Sequence, residues 1–415
     1  MSPMSLVPAA IAFDLLLAWL ILRMVTQARR YASLVSIADR SADREDWPSV
    51  AIVVPARDEA ASIADCVRGL LAQVYPVEHL SVHVVDDSSR DGTGRRAVAA
   101  AAGDGRLRLV TAGGPPAGWT GKSNAIALGV ADRMSRAKPP DYLCFVDADT
   151  AAEPGLLRAA VRYARDAEID MLSLGPRQEL GGWAERLVMP CGLYLVAASR
   201  DVGRVNAPGS QEAAANGQFL LFRAAAYERL GGHAAVRAEI CEDTALARRA
   251  KSLGLRFALL GAETLIRTRM YRSAAALWAG LSKNVTELGG GPCRTVLVAA
   301  AGTAVSLIAP ALSAACLVAW LAQPTLETAA AAILAGLGLL ALIALHLAGA
   351  RHFRIPLAYG LLFPLGYGLC LALAINGARW ARRGEVRWKG RTYQSVPCMQ
   401  TPPSSAASRV GSADA

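Results

Sequence analysis

Tyr142-Leu-Cys-Phe-Val-Asp147-Ala-Asp149-Thr150 is the stretch that decides the fold of this chain. Its five mainly apolar residues are short enough for a buried strand, and two carboxylates separated by one alanine follow at once. A Pro-Gly pair at residues 154 and 155 soon breaks the chain again. Because the backbone can turn just past a strand end, we expect Asp147 and Asp149 to face a crevice at the carboxyl edge of a sheet.

Two carboxylates at such an edge suit a hard divalent cation. Mg²⁺ or Mn²⁺ is commonly held by one or two carboxylates and takes its other ligands from substrate phosphates and water. An Asp-x-Asp pair alone fits a solvated turn equally well, so the surrounding sequence has to decide between them.

The composition predicts a protein that lies partly in lipid. The chain has 415 residues, of which 53% are hydrophobic, and a mean hydropathy of +0.29. Its formal charge of +10 comes from scattered Arg and Lys residues with only 6% aromatics, which favours an anionic membrane surface over nucleic acid. The eight cysteines form no Cys-x-x-Cys pair, so we expect reduced thiols and no zinc site.

Four apolar segments are candidates for membrane helices. Residues 1–30 read as an N-terminal transmembrane anchor and not a secretory signal, because the basic residues follow the apolar run. Residues 295–378 contain three further stretches, namely Thr295 to Leu321, Thr328 to Ala348 and Pro356 to Ala378. Basic residues flank the last stretch on both sides, so one of the four is expected to be re-entrant or interfacial, with Pro310 and Pro364 as break points.

Residues 49–265 have the alternating strand and helix texture of an α/β domain. The predicted strands are Val50 to Val54, Leu80 to Val85, Arg106 to Val110, Tyr142 to Val146, Asn216 to Phe222 and Arg256 to Leu260. Three of them end in acidic or polar clusters, at residues 55–59, 86–93 and 147–150, which is where an open α/β sheet binds ligands.

Several other segments leave two readings open. Lys122 lies in the first turn of a predicted helix, and the sequence there has neither a dinucleotide-binding fingerprint nor a Walker motif. Its side chain is expected either to bind a phosphate or to be solvated. Residues 181–200 are an interfacial or acceptor-facing segment, or else a core helix. Glu242 and Asp243 start a helix, where an Asp is often only a cap. Residues 266–293 read as an interfacial amphipathic segment, and residues 379–415 as a basic and then disordered tail.

These motifs together resemble the inverting glycosyltransferases of family 2, which have the GT-A fold for nucleotide-diphospho-sugar donors. Residues 55–59 are similar to the family's Pro-x-Arg-Asn-Glu opening, with Asp58 in place of Asn. Residues 86–93 match Asp-Asp-x-Ser-x-Asp-Gly-Thr, residues 147–149 the metal motif, and residues 242–243 the acceptor-side acidic pair. Four motifs in the right order cover roughly Ser49 to Trp278.

The resemblance implies a role for each site residue. Asp243 is expected to be the general base, beside Glu242, and Asp149 with Asp147 to hold Mg²⁺ or Mn²⁺. The expected donor-binding residues are Pro55, Arg57, Glu59, Asp86, Asp87, Lys122 and Asp147. The expected acceptor or phosphate side comprises Gly217, Gln218, Arg269 and Arg272.

Two further segments narrow the resemblance. Gly118-Trp-Thr-Gly-Lys122 and Trp388-Lys-Gly-Arg391-Thr-Tyr393 are similar to the hopanoid-biosynthesis-associated membrane branch, and also to carotenoid-acid glycosyltransferases. Arg269-Met-Tyr-Arg272 is followed by Ser273 and not by the Trp that membrane members often carry, which weakens the reading as a processive polymer synthase.

The expectation is a multi-pass enzyme of the bacterial inner membrane with its catalytic domain in the cytoplasm. It would transfer one sugar from a nucleotide-sugar donor to a lipid acceptor such as a hopanoid or other isoprenoid. The expected donor is a UDP-sugar, and no nucleic-acid partner is expected. The alternatives are a processive polysaccharide synthase and a catalytically silent membrane scaffold.

Overall fold

The computed structural model describes residues 6–31, 46–136 and 138–394. The strands are Val50–Ala56 (β1), Leu80–Asp86 (β2), Leu107–Thr111 (β3), Tyr142–Val146 (β4), Thr150–Ala152 (β5), Met171–Gly175 (β6), Arg177–Gln178 (β7), Phe219–Arg223 (β8), Phe257–Gly261 (β9), Ile266–Thr268 (β10), Glu385–Trp388 (β11) and Arg391–Gln394 (β12). Single 3₁₀ turns cover Val77–His79 and His233–Val236.

The helices are Leu6–Arg30 (α1), Ile63–Leu71 (α2), Thr93–Ala101 (α3), Gly121–Met134 (α4), Leu156–Asp166 (α5), Trp183–Ser199 (α6), Val202–Val205 (α7), Ala224–Leu230 (α8), Glu242–Ser252 (α9), Ala274–Leu288 (α10), Pro292–Ala322 (α11), Leu326–His352 (α12), Leu357–Leu361 (α13) and Phe363–Arg383 (α14).

A seven-stranded sheet in the order β3-β2-β1-β4-β8-β6-β9 forms the centre of the α/β domain. Neighbouring strands are parallel except that β8 is antiparallel to both β4 and β6. A second, three-stranded sheet has the order β5-β10-β7. The α/β prediction is confirmed, and each of the six predicted strands is present to within three residues.

The sequence reading missed strand β6. Its residues, Met-Leu-Ser-Leu-Gly, contain no β-branched side chain, which removes the usual compositional signal for a strand. The strand is nevertheless buried along its whole length, because it lies between β8 and β9. Tertiary contacts, and not local preference, make it a strand.

The register of the sheet brings the acidic clusters together. All five residues of β4 are buried, as expected for a strand covered on both faces. Ala56 at the end of β1 is paired with Asp86 at the end of β2, and Val53 is paired with Phe145 of β4. The three loops that follow β1, β2 and β4 therefore leave the sheet at one edge.

Gly129 fixes the height of α4 above this sheet. A Cβ built on Gly129 would lie 2.6 Å from Cγ1 of Val53 and 2.8 Å from Cγ2 of Val85, so only glycine allows this approach. The helix starts at the Thr120 cap, whose hydroxyl accepts the Ser123 N–H at 3.2 Å. This packing places Lys122, in the first turn, at the carboxyl edge of β1 and β4.

Within the described residues, three helices are long and apolar enough to cross a membrane: α1, α11 and α12. The fourth apolar segment is divided at Leu362 into α13 and α14. Pro364 lies in the first turn of α14, as expected for a break point, whereas Pro310 lies inside an unbroken α11. Helix α14 packs against α6, α10 and α11.

The ends of the predicted segments differ from the sequence reading. Residues 266–293 contain strand β10 as well as helix α10, which packs on α14 and α6. Residues 379–383 belong to α14, and residues 385–394 form the β11–β12 hairpin, so this part of the predicted tail is folded. The remainder of the predicted disordered tail, from residue 395, lies outside the described residues.

We predict that Gly129→Val lowers the free energy of unfolding by about 1–3 kcal/mol, because the new methyl groups overpack the contact with Val53 and Val85. Thermal unfolding of the detergent-solubilised protein measures the change. Gly105→Val is the matched control, since a Cβ at Gly105 meets no atom within 4 Å. Equal melting temperatures for the two variants would contradict the close approach.

Candidate functional site

Lys122 lies at the centre of the carboxyl edge. Its Nζ is 2.8 Å from Oδ1 of Asp147 and 2.7 Å from Oε1 of Glu242. The side chain is only one-third exposed, so the reading as a solvated lysine is wrong. The ammonium joins the acidic motif after β4 to the acidic pair that starts α9.

The protonation of Lys122 is set by its acidic neighbours. Burial acts to lower the pKa of the ammonium, but Asp147, Glu242 and Asp243 together raise that pKa well above its usual value. Burial acts to raise the pKa of Glu242, and Lys122 reverses this, so that the pKa of Glu242 is lowered. Lys122 and Glu242 are therefore both charged at neutral pH.

Asp243 is held at the start of α9 by two backbone donors. Its Oδ1 accepts the Thr244 N–H at 2.7 Å, and its Oδ2 accepts the Gly217 N–H at 2.8 Å. Burial and then the charge of Glu242 raise the pKa of Asp243 to about 6, against the opposing effect of Lys122. A carboxylate with this pKa is ionised at pH 7 and is a stronger base than an ordinary aspartate.

Gly217 lies beside Lys122 and Asp243. A Cβ there would lie 3.1 Å from the Lys122 Nζ and 3.2 Å from Oδ2 of Asp243. A side chain at this position would crowd both groups, so the glycine keeps the space beside the ammonium and the carboxylate open.

Asp149 has an incomplete set of partners. Its Oδ1 is buried, yet it has no hydrogen-bond partner among the residues that the structure describes. Burial, followed by the charges of Asp147 and Glu59, raises the pKa of Asp149 to about 7. An orphaned, buried carboxylate oxygen beside other carboxylates has the donor chemistry that a divalent cation requires.

No group of three or more His, Cys, Asp or Glu side chains able to hold a metal ion is found among residues 6–31, 46–136 and 138–394. A cation at Asp149 would therefore need ligands from elsewhere. Phosphate oxygens of a bound substrate fit this requirement, because Mg²⁺ is usually held by few carboxylates and completes its shell with phosphate and water.

The loops after β1 and β2 hold each other in place. The Glu59 N–H donates to Oγ1 of Thr93 at 2.8 Å, and Oε2 of Glu59 accepts the Ser62 hydroxyl at 2.9 Å. Oδ1 of Asp86 accepts the Ser89 N–H at 2.9 Å. Asp58 has a φ of +51°, a left-handed conformation that Asp and Asn tolerate better than most residues. Asp can therefore stand at this position, where the motif that the sequence resembles has Asn.

The β11–β12 hairpin reaches this site, which the sequence reading missed. Nζ of Lys389 is 2.5 Å from Oε1 of Glu59, and the Arg391 guanidinium binds both carboxylate oxygens of Asp87. The tip residues Lys389 and Gly390 have φ values of +45° and +74°, as in a two-residue hairpin turn. The sequence signal for this hairpin is the Lys-Gly pair, which lies between two short runs of polar and aromatic residues.

The remaining predicted residues surround this centre. Arg269 donates its backbone N–H to the Asp149 carbonyl at 3.3 Å, while its guanidinium is 3.3 Å from Glu185 on α6. The carbonyl of Gln218 accepts the Asp147 N–H at 3.3 Å, and its side chain binds Thr268. Arg272 is exposed and reaches the Ala61 carbonyl, so it lies at the rim.

Two of the residues predicted on the donor side, Pro55 and Arg57, also take part in the structure of this edge. Pro55 lies within β1, paired with Val85, one residue before the edge. Arg57 donates from its guanidinium to the Asp87 carbonyl at 2.8 Å and to the Lys389 carbonyl at 3.3 Å. Arg57 therefore links the β1 loop, the β2 loop and the hairpin.

A cleft of about 780 Å³ lies at the opposite edge of the sheet, beside Ser49 and Tyr142 at the starts of β1 and β4. Its lining mixes four basic with four acidic side chains and contains none of the predicted site residues. We therefore take the carboxyl edge as the candidate functional site.

Comparisons with known proteins find similarity to glycosyltransferases. The 4,4'-diaponeurosporenoate glycosyltransferase of Staphylococcus haemolyticus is 26% identical over 247 residues, which are 59% of this chain and 62% of that protein. The probable glycosyltransferase YdaM of Bacillus subtilis is 29% identical over 109 residues, 26% of this chain and 24% of that protein. The chain thus spans less than two-thirds of the length of each relative.

Among solved structures, the mannosyltransferase PcManGT from Pyrobaculum calidifontis in complex with GDP-Man and Mn²⁺ is 19% identical, with a TM-score of 0.47. That alignment covers 90% of this chain and 98% of PcManGT. The family model described as glycosyltransferase like family 2 matches residues 48–286, more than half of the chain. The chain therefore belongs to glycosyltransferase family 2, and its α/β domain is a GT-A glycosyltransferase domain.

Proposed function

We propose that this protein transfers a single sugar from a nucleotide-sugar donor to a lipid acceptor, with inversion, at the cytoplasmic face of the bacterial inner membrane. The observation that carries the proposal is the Lys122 ammonium, which holds Asp147 of the cation motif and Glu242 of the acidic pair at one site. A UDP-sugar is the first donor to test, and a hopanoid or other isoprenoid the first acceptor.

Asp243 is the proposed general base. An acceptor hydroxyl must lose its proton as its oxygen attacks the sugar, and a carboxylate with a pKa of about 6 can accept that proton at neutral pH. The backbone N–H groups of Gly217 and Thr244 fix the direction of the carboxylate. Glu242, which is bound to Lys122, stays ionised and keeps the pKa of Asp243 raised.

Asp149, with Asp147, is the proposed holder of Mg²⁺ or Mn²⁺. Such an ion supplies positive charge to the departing diphosphate. The buried, unpartnered Oδ1 of Asp149 supports this role. On the donor side, Glu59, Asp86 and Asp87 are proposed to accept hydrogen bonds from the nucleobase and ribose.

Contacts between the site and the membrane helices support a lipid acceptor. Arg269 binds the Asp149 carbonyl through its backbone and Glu185 of α6 through its guanidinium. Helix α6 packs in turn against α1, α11 and α14. Trp183, at the start of α6, is 61% exposed, and tryptophan is enriched where a protein meets a membrane surface. The relative from S. haemolyticus is named as a glycosyltransferase of 4,4'-diaponeurosporenoate.

The basic residues support a cytoplasmic catalytic domain. Arg23, late in α1, donates to the Ala198 carbonyl at 2.6 Å, and Arg294, at the start of α11, donates to the Ser199 carbonyl at 2.7 Å. Both spans thus carry their arginines at the end next to the α/β domain. By the positive-inside rule this end faces the cytoplasm.

We predict that Asp243→Asn loses about two to four orders of magnitude in kcat, because the amide keeps the shape but cannot accept the proton. In the wild type, kcat/KM should fall below about pH 6, as protonation removes the base. Asp65→Asn, on the exposed surface of α2, is the matched control. Near-normal turnover by Asp243→Asn, or a product of retained anomeric configuration, would return Asp243 to a capping role.

We predict that excess chelator abolishes transfer and that Mg²⁺ or Mn²⁺ restores it. Asp149→Ala should also lose Mn²⁺ binding in the presence of UDP, measured by electron paramagnetic resonance, whereas Asp65→Ala should not. Full activity in chelator, or wild-type Mn²⁺ affinity in Asp149→Ala, is incompatible with the cation role of Asp149.

We predict that a cysteine at position 138 reacts with a membrane-impermeant maleimide only after the cells are opened. Lys138 is exposed on the α/β domain, whereas the native Cys66 and Cys144 are buried and cannot report topology. Cys293, which is exposed, and Cys398 are first replaced by serine. Labelling of Lys138→Cys in intact cells would place the catalytic domain outside.

The length of the added sugar chain distinguishes a single-sugar transferase from a processive polysaccharide synthase. Ser273 follows Arg272 where membrane synthases of the family often carry Trp, which favours single transfer over polymerisation. Mass spectrometry of the lipid product resolves one added sugar from many. A catalytically silent scaffold would produce neither.

A further inference from the structure

We propose that the β11–β12 hairpin is a lid over the donor cleft, and that Lys389 and Arg391 bind the diphosphate of the sugar nucleotide. In the structure these two cations are held on Glu59 and Asp87. The inference rests on the proposed function, because it assigns further donor-binding residues to the same site.

The first support is the position of the two cations. Lys389 spans from Glu59, where its Nζ lies at 2.5 Å, to the Arg57 carbonyl at 2.6 Å. The Arg391 guanidinium binds Asp87, whose side chain is only 5% exposed. Both cations are partly buried against the loops that follow β1 and β2, with 25% of the Lys389 side chain and 18% of the Arg391 side chain exposed.

The second support is what surrounds them. A Cβ on Gly121, the first residue of α4, would contact both the Arg391 guanidinium and the Asp87 carboxylate, and the Gly121 N–H donates to the Tyr393 hydroxyl at 3.4 Å. Arg391 and Tyr393 thus lie at the start of a 14-residue helix, whose partial positive charge favours an anion.

The third support is charge balance. Glu59, Asp87, Asp147 and Asp149 make the cleft strongly acidic, so a diphosphate entering it needs compensating cations. Lys122 is already bound to two carboxylates. The hairpin supplies two more cations, each paired with a single acidic residue, Glu59 or Asp87, on a turn whose base is anchored elsewhere.

That anchor lies at the base of the hairpin. Val386 is buried, and the ring of Trp388 lies 4.8 Å from the Lys283 ammonium of α10. The tip beyond Trp388 is held mainly through polar contacts with Arg57, Glu59 and Asp87. Hydroxyl and N–H donors of the nucleoside can replace these contacts, which frees both cations to move a short distance onto the diphosphate.

The test compares nucleoside diphosphates with nucleosides on the full-length, detergent-solubilised protein in Mn²⁺. Calorimetry measures UDP and GDP, and competition measures uridine and guanosine. We expect Lys389→Ala and Arg391→Ala each to lower the ratio of diphosphate affinity to nucleoside affinity by about 10- to 100-fold, as for loss of a charged hydrogen bond. Arg391→Lys should restore part of the ratio.

Two controls separate this effect from charge and folding. Arg382→Ala removes one positive charge from an exposed position on α14, and Thr392→Ala alters an exposed position of the hairpin. Both should keep the wild-type ratio, and all variants should keep the wild-type melting temperature to within a few degrees.

Other outcomes overturn the inference in distinguishable ways. A hairpin that only blocks the cleft would give variants that bind nucleoside and diphosphate more tightly by the same factor, leaving the ratio unchanged. Variants with wild-type affinities for both the nucleosides and the nucleoside diphosphates would show that the hairpin has only a structural role. A wild-type protein that binds none of the four probes would overturn the proposed function and the lid together.

Discussion

The site depends on one ammonium group. Lys122 lies between the carboxylate of Asp147, which follows β4, and the carboxylate of Glu242, at the start of α9. Without the ammonium, these two negative charges would repel each other at this short distance. Removing one partner of a buried ion pair leaves an uncompensated charge, which is costly in a protein interior. The depth of Lys122 is set in turn by Gly129, where α4 approaches β1 and β2.

This arrangement gives neighbouring acidic groups different tasks. Against the effect of burial, Lys122 lowers the pKa of Glu242, while burial and then the charge of Glu242 raise the pKa of Asp243 to about 6. Two consecutive residues thus differ in basicity because only one of them contacts the ammonium. Asp149 lies farther from a cation, keeps one oxygen without a partner and has its pKa raised to about 7. The differences follow from distance and burial, and not from residue type.

Much of the α/β domain was readable from the sequence, because β-rich runs such as Val50 to Val54 and Tyr142 to Val146 end in acidic clusters. Strand β6 was not readable, since Met171-Leu-Ser-Leu-Gly175 carries no strand signal and is defined by its neighbours. The pairing of Lys122 could not be foreseen either, because Asp147 and Glu242 are remote from it in the chain. The contacts of the hairpin could not be predicted because their partners are also remote in the chain, although the Lys-Gly pair is a local signal for the turn itself.

The contact between Arg57 and Lys389 joins residues 332 positions apart, with α11, α12 and α14 between them in the chain. Chains are synthesised from the amino terminus, and domains generally fold as they emerge. The α/β sheet can therefore form while the membrane helices are still being made, but its donor cleft gains Lys389 and Arg391 only after α14 has left the ribosome. Completion of the cleft is thereby delayed until the membrane part of the protein exists.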